Sequence, residues 1–140
     1  MTKALIPTRS SSIQVTALDS DLNIQTNEFS TELLQVDDVA SVVQDDYILG
    51  LPNFSFLEKD IVDNGMTFPI IVCLNNNGAW GSAITNMIKG AIGEYHSKYK
   101  YLCLYGNQRL LIARRNKFTH IGAILVTSPF WAISLHHSLK

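Results

Sequence analysis

The apolar positions of this chain are concentrated in its middle and last thirds, and their spacing marks a succession of short elements. Residues 1–30 are rich in Ser, Thr, Asn, Gln and Asp with scattered apolar residues, a composition that predicts a flexible or weakly structured arm, or a marginal strand. "TELLQVDDVASVV" reads as a short strand ending at Val36, with Asp37 or Asp38 placed to cap a helical turn. Gly50 and Pro52 in "YILGLPNF" break any helix there. In "SFLEKDIVDNG", Ser55 is a candidate N-cap, Phe56, Leu57 and Ile61 are read as one helical face, and Asn64–Gly65 supplies the stop. "TFPIIVCL" is an unbroken, β-branched run of strand length, followed by the turn residues "NNNGAWG". Between residues 82 and 96, Ile84, Met87, Ile88, Ala91, Ile92 and Tyr95 recur at helical spacing and predict an amphipathic helix. "KYKYLCLY" predicts a strand entering the core from a solvated end, stopped by Gly106. A helix over 107–116 and a strand at "HIGAILV" follow, and "FWAISL" is expected as an edge strand or a packed tail.

With 140 residues and 46% hydrophobic positions, one domain is expected over residues 31–140, preceded by the arm. No apolar run reaches membrane-spanning length and the start resembles no signal peptide, so the expected location is cytoplasmic. Cys73 and Cys103 lie inside apolar runs, which predicts buried free thiols. His96, His120, His136 and His137 lack the spacing of a metal site, and no metal ligand is assigned to them. The net charge of -1 conceals a division: eleven of the twelve acids precede Met66, whereas eight of the eleven bases follow it with Glu94 as the single acid. Such a split can present a positive face to phosphates, or can reflect attraction between the halves.

The chemistry gathers at Tyr105–Gly106–Asn107–Gln108–Arg109, where a strand hands over to a helix through glycine. The first amides of a helix have no internal acceptor, glycine admits a close approach, and Arg109 in the first turn brings a fork for two phosphate oxygens. Asn107 and Gln108 add hydrogen-bonding groups, so the turn is a candidate phosphate cradle.

The flanks resemble the ParB/sulfiredoxin superfamily over residues 32–126. "DIVDNGMTFPIIV" is similar to that family's first box, a helix ended by glycine and then a proline opening a buried strand. "GNQRLLIARRNKFTHIGAILV" is similar to its second box, with a GERR-type turn, a helix and a final apolar strand. The resemblance implies a compact α/β (α+β) domain with a small mixed sheet, the predicted 82–96 helix being an insertion between the boxes. It also implies nucleotide binding at the second-box turn, CTP or ATP with Mg²⁺, through Gly106, Asn107, Gln108 and Arg109 and the downstream Arg114. Gln108 stands where sulfiredoxin has its cysteine nucleophile, which argues against sulfiredoxin chemistry. Fourteen residues follow Val126, so the helix-turn-helix domain of partition ParB proteins is not expected.

Three functions follow from these readings. The favoured one is a nucleotide- or phosphate-binding domain acting as an NTP hydrolase or phosphotransferase, with Glu58 and Asp60 on the first-box helix as the candidate catalytic carboxylates. The second is a ParB-like nuclease or a protein binding nucleic acid weakly and without sequence preference through Lys98, Lys100, Arg115 and Lys117. The third is an inactive interaction module. A nuclease needs paired acids within the basic half, where Glu94 stands alone, and a pI of 6.4 argues against DNA binding as the main task.

Overall fold

The computed structural model describes residues 3–8, 12–75 and 99–139. The predicted 82–96 helix, and Lys98 with it, lie outside the described residues. Eight strands and four α-helices are described: β1 (Ala4–Leu5), β2 (Ile13–Leu18), β3 (Ile24–Phe29), β4 (Glu32–Gln35), β5 (Val39–Ser41), α1 (Asp45–Leu49), α2 (Phe54–Asn64), β6 (Ile70–Leu74), β7 (Tyr101–Tyr105), α3 (Asn107–Arg115), β8 (His120–Leu125) and α4 (Pro129–Ser138). A single 3-10 turn, Val36–Asp38, separates β4 from β5.

β8 organises a six-stranded mixed sheet. β4 runs antiparallel along one side of it, and on the other side β1 pairs with its start and β6 with its end, both parallel. A bridge between Pro7 and Met66 joins β1 to the approach of β6. β7 lies antiparallel to β6, and β5 runs parallel to β7. Because β7 and β8 are thus antiparallel to each other, α3 returns to the end of the sheet it left and lies across the strands. This is the mixed α/β architecture that the two sequence boxes predict.

Both faces of the sheet are covered, which explains why its central strands read as continuous apolar runs. Ile70 and Val72 of β6 and Cys103 of β7 face a core with Phe54 and Ile61 of α2 and Leu110 and Ile112 of α3. Their neighbours Ile71, Cys73, Leu102 and Leu104 face a second core with Val15 and Phe29 of the β2–β3 hairpin and Ala132 and Leu135 of α4. The two cysteines are free, buried and on opposite faces. Burial pushes both thiols up to about 12. Among the described residues no helix is long and apolar enough to cross a membrane.

Three local expectations are corrected. Residues 13–29, expected to be an arm or marginal strand, form an antiparallel hairpin in full register from Ile13↔Phe29 to Leu18↔Ile24. Its few buried side chains hid the signal, because Val15 and Phe29 suffice to anchor it to α4. Of the two readings of "FWAISL", the strand is overturned and the packed tail is met by a helix: Pro129 occupies the first turn and Ser128 caps it by accepting from the Trp131 amide at 3.3 Å. α2 begins at Phe54 rather than after Ser55, and its buried side carries Phe54 and Ile61. Phe56, assigned to the inner face from sequence, is 76% exposed.

Candidate functional site

Gly106 caps α3 in the left-handed conformation, with φ 97° and ψ 25°. Two constraints select glycine here. An L side chain is strained at this φ, and a Cβ would stand 2.6 Å from Ile70 Cγ2 and 2.8 Å from Arg109 Nη2. The first intrahelical bond runs from the Leu110 amide to the Gly106 carbonyl at 3.0 Å. The amides of Asn107, Gln108 and Arg109 therefore find no acceptor among the described residues, and no side chain caps them.

This turn forms one end of a cleft of about 390 Å³. Residues 104–109 line one side, and Val43, Tyr47, Ile48, Leu51 and Leu57 bring the other walls from α1, α2 and the segments on either side of α1. The cleft is mainly apolar, its backbone donors lie at one end, and two aromatic rings border it. Tyr47 is 67% exposed at the border. Tyr105 is held from behind by a stacked His136 ring of α4, with centroids 3.9 Å apart and planes 6° apart.

The side chains named from sequence divide sharply. Gly106 and Gln108 stand in the cleft wall. Asn107 also borders it, but its Oδ1 faces the fold, accepting from Ser41 Oγ at 2.9 Å and the Val42 amide at 3.1 Å. It therefore ties the end of β5, and with it the Val43 wall, to the start of α3. Arg109 Nη1 donates to the carbonyls of Phe68 at 2.6 Å and Pro69 at 3.2 Å, and its burial pulls the guanidinium below the ordinary arginine value. Half of the expected phosphate fork is thus committed to the strand opening, leaving Nη2 beside Gly106. Arg114 is turned inward onto the Val39 carbonyl at 2.8 Å, away from the cleft.

Glu58 and Asp60 do not line the cleft. Glu58 accepts from Arg115 Nε at 2.8 Å and Asn116 Nδ2 at 3.1 Å at the C-terminal end of α3, about 12 Å of helix from the Gly106 turn. The Arg115 hydrogen bond, with help from Asn116, holds its carboxyl below the usual glutamate range. Asp60 accepts from Asn64 on the same helix. Among the described residues no group of three metal-ligating side chains forms. Of the cations named for nucleic acid, Arg115 pairs with Glu58 and Lys100 lies 3.8 Å from Asp38. Lys117 is exposed, with no ion-pair partner among the described residues.

Sequence reasoning missed the walls of the cleft: Tyr47, Ile48 and Leu51 come from a segment it read only as a helix-breaking loop, and Val43 ends the stretch it read as a strand and a capped turn. The acids Asp45 and Asp46 in the first turn of α1 and Gly50 at its end were the available signal.

No protein-family model matches the sequence, and no curated protein matches it. Two solved structures are similar to this one. A Pnob8-like ParB-N domain matches over 69% of this chain with 14% identity and a TM-score of 0.40, the match spanning 28% of that chain. Sulfiredoxin from Arabidopsis thaliana matches over 79% of this chain and 97% of its own, with 14% identity and a TM-score of 0.42.

Proposed function

We propose that this domain binds a small phosphate-bearing molecule, a nucleotide in the first instance, with the phosphate on the α3 amides and the remainder of the ligand in the apolar cleft. The observation that carries this reading is the set of unsatisfied amides at Asn107, Gln108 and Arg109, opening through a left-handed glycine onto a cleft of nucleotide size. Arg109 Nη2 adds positive charge beside the same turn. Tyr47 and Tyr105 offer rings against which a base can stack. The activity proposed is binding, because the carboxylates named as catalytic belong to other contacts and stand outside the cleft. Mg²⁺ would accompany such a ligand on its own phosphates.

Gln108→Glu separates ligand binding from fold. A carboxylate in the first turn of a helix favours the helix by about 0.3–1 kcal/mol, yet repels an anion from the same amides. The expected outcome in calorimetric titration with CTP, ATP and inorganic phosphate, each with and without Mg²⁺, is saturable binding to the wild type and a loss of at least about tenfold in the variant. Thermal unfolding of the variant should show no loss of stability. Equal affinities in the two proteins, or no binding to either, would refute the reading.

A further inference from the structure

We propose that the outward face of α2 docks a basic polypeptide segment, with Phe56 as the aromatic contact and Asp60 and Asp63 as its anionic flank. The geometry of the helix is the starting point. At about 100° per residue, Phe54, Leu57, Glu58 and Ile61 cluster on the side facing α3 and the sheet, and Phe56 falls about 200° from Phe54, at the centre of the opposite face. Asp60 follows it by one turn on that face and Asp63 by two, about 10 Å along the axis, with Lys59 one turn on at the other flank. Phe56 is 76% exposed and Val62 46% exposed, so the helix presents an aromatic ring and an aliphatic side chain to water. Neither is required for the fold, whose core on this side is complete with Phe54 and Ile61.

Charge decides which partner fits. From Gln44 to Asn64 the chain carries Asp45, Asp46, Glu58, Asp60 and Asp63 against Lys59 alone. Of these acids only Glu58 has a cationic partner among the described residues, and Asp60 has a neutral one in Asn64. Of the five described cations after Met66, four are engaged within the fold and Lys117 is exposed. Arg109 and Arg114 hold backbone carbonyls, Arg115 holds Glu58, Lys100 lies against Asp38, and Lys3 donates to the Asn116 carbonyl. Asp45, Asp46, Asp60 and Asp63 thus have no ion-pair partner among the described residues, and Lys59 is the one cation of the segment. An exposed ring with carboxylates one and two turns on suits the guanidinium or ammonium groups of a basic segment, which gains from the ring face and the anions together. Nucleic acid is repelled by this surface. A second copy joined through this face about a two-fold axis would bring the acidic flanks of the two copies together, which disfavours a self-association.

The test uses the full chain and a fluorescein-labelled peptide of alternating Arg and Gly, with a peptide of alternating Glu and Gly as the control, read by fluorescence anisotropy. The Arg peptide is expected to bind saturably and to weaken as salt rises, whereas the Glu peptide is not retained. Phe56→Ala should weaken binding by about tenfold and Asp60→Asn with Asp63→Asn by about fivefold, while Phe56→Trp, which keeps the ring face, should retain it. All these positions are exposed, and circular dichroism confirms that each variant is folded. Binding that Phe56→Ala leaves unchanged would overturn the proposal, since non-specific attraction of a polycation needs no ring. So would absence of binding, or a concentration-dependent dimer in sedimentation that Phe56→Ala abolishes.

Discussion

The two ends of α3 carry similar kinds of side chain and finish in opposite states. At the C-terminal end, Arg114 reaches the Val39 carbonyl, Arg115 and Asn116 share Glu58, and Lys3 covers the Asn116 carbonyl. The Asn116 and Phe118 amides close the last turn on Ile112 and Ala113, each at 3.0 Å. At the N-terminal end, the amides of Asn107, Gln108 and Arg109 have no acceptor among the described residues and border a cleft. The basic residues at the saturated end act in the architecture, because a guanidinium bonded to a carbonyl or paired with a carboxylate has little left to offer a ligand. The open end is the place where a ligand can supply what the fold does not.

The sharpest way to break this contrast is Gly106→Ala. The unfavourable φ and the approach to Ile70 Cγ2 combine, and a loss of about 2–4 kcal/mol is expected in urea unfolding. A loss below about 1 kcal/mol would mean that the turn relaxes freely and that its glycine is not imposed by the packing.

Arg109→Ala sharpens the comparison from within the open end. Removing the guanidinium leaves the Phe68 and Pro69 carbonyls without this donor, and a destabilisation of about 2 kcal/mol is expected. Arg114→Ala, which removes one bond to Val39, should cost about 1 kcal/mol. Were Arg109→Ala to leave stability intact while abolishing anion binding, the side chain would be a ligand group first and a structural one second.

The smallest expected effect belongs to Glu58→Gln at the saturated end, and its pH dependence identifies it. The carboxyl is held below its usual 4.5 by Arg115 and Asn116, so its contribution is present in full above that value. It is lost as the pH falls through the lowered folded-state value. The stability difference between wild type and variant should therefore be visible at neutral pH and vanish in acid. A difference that persisted at low pH would assign the role of Glu58 to packing rather than charge.

Much of this fold is legible in the chain. "PIIVCL", "YLCLY" and "HIGAIL" declare themselves as buried strands because both faces of the sheet are covered and their apolar runs are unbroken. Gly106 announces the turn because no other residue meets its φ and its contact with Ile70 together. The β2–β3 hairpin was obscured, since only a few of its side chains are buried and its apolar residues Leu18 and Ile24 are exposed among polar ones. The register of α2 was misplaced because Phe54 and Phe56 are equivalent to a propensity count and differ by about half a turn in direction.

The sequence by itself determined the central strands, the helices α2 and α3 to within a turn, and the strand-to-helix glycine, because these follow from local backbone sterics and the periods of strand and helix. The tertiary structure alone decided where each charge points. Arg109, Arg114 and Arg115 lie within seven residues of one another, yet they end on the Phe68 and Pro69 carbonyls, on the Val39 carbonyl and on Glu58. Their partners are 41, 40, 75 and 57 positions away in the chain, and a polar side chain takes the nearest acceptor that folding brings to it, which no local pattern encodes.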